Sequence, residues 1–230
     1  MSKKWLTLPI AVAALVIGVV AAVASTNDNS SAAMPNHAGM HGMHVAAAAR
    51  PTAADLRVTL DRLLGEHAQL AVAATRAGLN GSSDFNAIAK SLDANSVDLA
   101  DAIGSLYGAK ARNQFLNSKF GWRAHIGFFV DYTVATAKGD KAGQTKAVNN
   151  LKGYIGASAS FFNGATGVPT KALVAGLTEH IMQLKGQVDA YHAKHYAKAA
   201  ALTRASYEHM FMLGDALAAG IAKKFPQKFA

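Results

Sequence analysis

From residue 52 onward, apolar side chains recur at intervals of three and four. Leu60, Leu63, Leu64, His67, Leu70 and Ala74 trace one face of a helix. Thr52 precedes this run and Asp55 stands three residues later, the pattern of a reciprocal helix N-cap. Asn80-Gly81-Ser82-Ser83 breaks the helix, and a second is predicted over about residues 84–107, stopped by Gly108. A short helical lead-in from Ala109 introduces a third helix over about 121–138. Gly139-Asp140 turns the chain into a fourth that ends near Asn163, and residues 164–169 form a break. A fifth helix is predicted over about 170–191 and a sixth over about 194–223. No stretch alternates β-branched and polar residues, so no strand is expected. The fold class is all-α.

The helices also resemble one another in pairs. The strings LLGEHAQLAVAATRAGLNGSSDF (63–85), GWRAHIGFFVDYTVATAKGDKA (121–142) and GLTEHIMQLKGQVDAYHAKHYA (176–197) each place a histidine 13 or 14 positions before a turn. LADAI (99–103) likewise matches LAAGI (217–221). Three helical hairpins, about 52–107, 109–166 and 169–224, would stack as a six-helix bundle, each covering its neighbour's apolar face.

Two segments precede this domain. Lys3 and Lys4 lead into an uncharged run from Leu6 to Ala24, and Ala22-Val23-Ala24 offers a small-residue cleavage site. Residues 1–24 therefore read as an export signal, with retention as a membrane anchor through residues 6–24 as the alternative. The expected location is the periplasm, cell surface or extracellular space. Residues 25–50 carry almost no large aliphatic side chains and read as a disordered tether. Loss of Lys3 and Lys4 would leave 21 basic against 14 acidic residues, a net charge of +7. The lysines are scattered and no aromatic-basic motif accompanies them, so a solvated surface is expected rather than a nucleic-acid partner. The pattern identifies no protein partner. With no cysteine, disulfides, thiolate metal sites, iron–sulfur clusters and covalently attached haem are excluded.

What remains is thioether and imidazole. Every methionine except Met1 lies within three residues of a histidine, although only about a quarter of the exported chain does on simple composition counting. Soft sulfur holds Cu(I) and imidazole holds copper in either oxidation state, so copper, Cu(I) or Cu(II), is the ion this ligand set suits. The tether's MPNHAGMHGMH (34–44) offers Met34, His37, Met40, His41, Met43 and His44 in one short stretch that can wrap an ion without a preformed fold. In the helical domain His67, His125, His180 and His209 each lie on an apolar face, where a histidine is ordinarily a core residue satisfied by one hydrogen bond. Their distances from the turns put all four near one layer, and a shared metal is one way to satisfy them. Met212, three residues past His209, could complete a chelate with it, whereas Met182 points away from His180. His192 and His195 read as a polar helix tip beside Asp189. The pairs Glu66-His67, Glu179-His180 and Glu208-His209 set neighbours about 100° apart, so each glutamate should face solvent or another helix.

LRVTLDRLLGEH (56–67), HIGFFVDYTVATAKGD (125–140), ATGVP (165–169) and the stretch from YEHMFMLGDALAAGI to FPQKF (207–229) resemble exported bacterial helical proteins labelled copper amine oxidase-like. The resemblance spans most of residues 52–229 and implies copper and export. It does not imply amine oxidation, because no tyrosine here follows an asparagine, the context in which that enzyme builds its quinone. Repeated Glu-x-x-His, His-Glu-x-x-His, Gly-x-Ser-x-Gly and phosphate-cradling loops are absent, so no catalytic residue is expected. Noncovalent haem held between helices by His/Met or His/His is the alternative cofactor, and a metal-free structural or partner-binding repeat protein is the alternative function.

Overall fold

The computed structural model describes residues 50–230. The export segment and the Met/His tether lie outside the described residues. Seven α-helices follow one another: α1 (Ala53–Asn80), α2 (Phe85–Tyr107), α3 (Ala109–Asn117), α4 (Trp122–Lys138), α5 (Lys141–Thr166), α6 (Thr170–His192) and α7 (Tyr196–Lys224), with a closing 3₁₀ turn at Pro226–Lys228. There is no strand among the described residues.

The helix ends follow from local chemistry. Thr52 Oγ1 accepts the Asp55 N–H at 3.1 Å while the Asp55 carboxylate accepts the Thr52 N–H at 2.8 Å, closing the capping box. α1 stops at Gly81 and α4 at Gly139, both left-handed. Two boundaries differ from the sequence reading. Residues 109–117 form a separate helix, because the chain turns at Ser118–Gly121. A Cβ at Gly121 would meet the Phe115 carbonyl oxygen at 2.7 Å, so only glycine permits this turn. α5 also runs through Gly164 to Thr166, since an interior glycine costs a helix only about 1 kcal/mol. The residue that ends it is Gly167, at φ 76°, whose N–H returns to Asn163 O at 2.8 Å.

α1 is the most central helix, bordered by α2, α4, α6 and α7, and α7 packs on both α1 and α6. Consecutive long helices also pack on each other, α1 on α2, α4 on α5 and α6 on α7. Leucines and aromatics from all seven helices fill one apolar core. Close approach at the far end depends on Gly220, where a Cβ would lie 2.8 Å from both the Thr166 Cβ and its carbonyl oxygen. Gly220→Ala is expected to lower stability by about 1–3 kcal/mol through overpacking. An unchanged urea midpoint would show that α7 is not pressed against the end of α5. Among the described residues no helix is long and apolar enough to cross a membrane.

Candidate metal centre

Three histidines from three helices meet inside this bundle. His67 of α1, His125 of α4 and His180 of α6 are 1%, 1% and 2% exposed. One ligand nitrogen from each lies within 4.8 Å of the other two. The ring centroid of His67 is 5.3 Å from that of His125 and 5.9 Å from that of His180. Three facts of folding bring them together. Each sits at the apolar stripe of its helix, each stripe turns to the same core, and α1 borders both α4 and α6.

Aromatic walls fix the rings. Trp122, one turn before His125 on α4, lies 4.7 Å from both His67 and His125. Tyr154 of α5 stacks on His125 at 4.4 Å with an interplanar angle of 18°. The spacing of Trp122 ahead of His125 is legible in the sequence. Tyr154 is not, because its helix carries no histidine and the residue reads as ordinary core among Leu151, Ser158 and Phe162.

The polar accounting is unusual. Both nitrogens of His67, both of His180, Nδ1 of His125 and Nε1 of Trp122 are buried without a hydrogen-bond partner among the described residues. Buried polar groups are ordinarily paired, and each such exception calls for an explanation. Burial is the chief cause that holds the imidazoles neutral: it drives His67 well below its ordinary range, His125 down to about 3 and His180 down to about 4. Repulsion from neighbouring imidazoles adds to this in all three, and at His125 the Trp122 backbone pulls the other way. Neutral imidazole is the form that ligates a metal.

The donor geometry fits an ion with small adjustment. A point equidistant from three nitrogens 4.8 Å apart lies about 2.8 Å from each, against about 2.0–2.1 Å for a metal-bound imidazole, so each ring must close by under about 0.8 Å. Among the described residues, no carboxylate is one of the groups that shift the three rings. The adjacent glutamates are engaged elsewhere, as expected. Glu66 accepts from Asn95 Nδ2 on α2 at 3.0 Å, Glu179 from Gln183 at 2.8 Å and Glu208 from Arg204 at 2.8 Å.

The other candidates are placed differently. His209 does not join the three. Its Nε2 donates to the Gly176 carbonyl on α6 at 2.8 Å, one turn before His180. Met212 is 62% exposed and lies outside the core. Met182 is 56% exposed, and Met210 is wholly buried among apolar side chains. His192 and His195 are exposed at the α6–α7 turn, while Asp189 accepts from Tyr132 Oη at 2.6 Å and from Lys185 Nζ at 2.7 Å. Met34, His37, Met40, His41, Met43 and His44 lie outside the described residues. Neither a protein-family profile nor a curated protein nor a solved structure matches this chain.

Proposed function

We propose that this protein is an exported, non-catalytic copper-binding protein of the cell envelope, acting in copper sequestration, tolerance or delivery. The observation that carries the reading is the convergence of His67, His125 and His180, three buried neutral imidazoles whose nitrogens have almost no other partner. Copper is preferred over zinc for two reasons. The chain pairs its methionines with histidines, and thioethers add little for zinc. Among the described residues the centre also holds no anionic ligand. The penalty for burying an ion grows as the square of its charge, so Cu(I) among neutral ligands costs about a quarter of what a divalent ion would. A haem would need an open plane between its axial ligands, where Trp122 already packs 4.7 Å from two of the three rings. The stacking of Tyr154 on His125 favours a second reading, a metal-free structural layer of rings. The hairpin repeat accounts for either, since duplication would have copied one helical histidine into three hairpins.

Metal analysis of protein purified from the envelope, without refolding, tests the proposal directly. Copper bound in stoichiometric amount is the expected result, and metal-free protein from copper-replete cells would refute it. The tether contributes separately. A chain beginning at Pro51 should fold fully yet lose a distinct class of Cu(I) sites, because residues 25–50 carry methionine and histidine and almost no large aliphatic side chains. Equal copper stoichiometry with and without those residues would remove the tether from the function.

A further inference from the structure

The three imidazoles are almost fully enclosed, so an ion that binds them needs a way in. The α6–α7 edge offers a graded series of ligands. Met212 is 62% exposed, His209 is 9% exposed, and His180 of the buried centre is 2% exposed. His209 and Met212 are three residues apart on α7, so their side chains are neighbours on the helix surface.

His209 is prepared as a ligand in a way the buried three are not. A carbonyl oxygen can only accept, so the contact with Gly176 O fixes the proton on Nε2 and leaves the lone pair on Nδ1. A metal-binding histidine typically has this arrangement, one ring nitrogen donating to a backbone carbonyl and the other free to coordinate. Gly176 belongs to the same helix as His180 and lies one turn before it, so this contact anchors the His209 ring to α6 one turn from His180.

We infer that His209, through Nδ1, and Met212, through its thioether, form an outer site for a soft monovalent cation, from which the ion passes to His67, His125 and His180. This deepens the copper reading and rests on it. The thioether captures Cu(I) at the surface, where a sulfur ligand discriminates against zinc and magnesium. The imidazole then carries the ion across the helix edge. Met182, 56% exposed on α6 but without a histidine prepared beside it, has no part in the transfer.

Trp122 reports the inner step, because it touches two of the three rings. The test uses the full chain with Trp5→Phe, which leaves Trp122 as the only tryptophan, and Ag(I) as a redox-inert stand-in for Cu(I). Ag(I) in excess is mixed with the protein and Trp122 emission is followed in time. His209→Gln and Met212→Leu should each slow quenching by about tenfold, the order of affinity lost when one metal-supporting group is removed, with the final amplitude unchanged. Met182→Leu should behave as the parent. Unchanged rates would overturn the proposal, and so would a final amplitude lost in proportion, which would make Met212 part of a single site. A parent protein that is never quenched removes the buried centre, and the transfer with it. A Met212 methyl resonance that does not move on adding Ag(I) removes the outer site alone.

Discussion

Cu(I) should raise the melting temperature of this protein by about 5–11 °C at a hundredfold excess over Kd, and His125→Gln should abolish the rise. Binding to the native state alone adds RT ln(1 + [L]/Kd), about 2.7 kcal/mol at that excess, and a domain of this size gains about 2–4 °C per kcal/mol. His125 is the most informative of the three positions, because its Nδ1 has no partner while its ring is stacked on Tyr154. If the rings serve only packing, glutamine should cost the metal-free protein about 1–3 kcal/mol, through lost stacking and an amide placed in an apolar wall. Copper would then change neither form. If the rings await an ion, glutamine replaces one unpaired polar group by another, the metal-free proteins should melt within a few degrees of each other, and only the parent should respond. Melting curves of both proteins with and without Cu(I) and Zn(II) separate the cases. An equal response to copper in the variant would eliminate the buried centre and leave other ligands to explain it.

The helical architecture was legible because the long helices carry their own periods and several carry their own stops. Thr52 with Asp55, Gly81, Gly108 and Gly139 marked ends through local chemistry that no tertiary contact had to override. The boundary at Gly167 was harder, since Gly164 and Gly167 look alike in sequence and only the left-handed turn at Gly167 distinguishes them. Within the site, the common level of His67, His125 and His180 was readable from their distances to the turns. Which of them would meet was not, because distance to a turn says nothing of the angle about the helix axis, and His209 is bonded to the Gly176 carbonyl instead. Closeness in sequence to a histidine became contact for none of Met182, Met210 and Met212 in the buried centre: two point to solvent and one into apolar core. On a helix, neighbours one or two positions apart face directions 100–200° apart, so closeness in sequence to a histidine is a poor guide to contact there.

Acid should unfold the metal-free protein well before carboxylates alone would account for it. His67, His125 and His180 bind protons far more weakly in the folded state than at their ordinary value near 6.5, mainly because burial penalises the charged ring. Between the folded and unfolded values the unfolded chain holds more protons, so stability rises with pH across that window and is flat above about 6.5. Read downward, stability is complete above pH 6.5 and is lost as pH falls toward 4 and 3. Each histidine contributes up to about 1.4 kcal/mol per pH unit, so three acting together remove about 4 kcal/mol per unit and about 8 kcal/mol across two. A domain holding a typical 5–15 kcal/mol would therefore unfold near pH 4–5, taking up close to three protons. Bound copper should shift the transition to lower pH, because three imidazole lone pairs held by an ion must be released before they can be protonated. Circular dichroism across pH 7.5 to 3, with proton uptake measured at the midpoint, decides the matter. A transition that takes up fewer than two protons, or that lies at the same pH in His67→Gln and in the parent, would mean the three rings do not control acid stability.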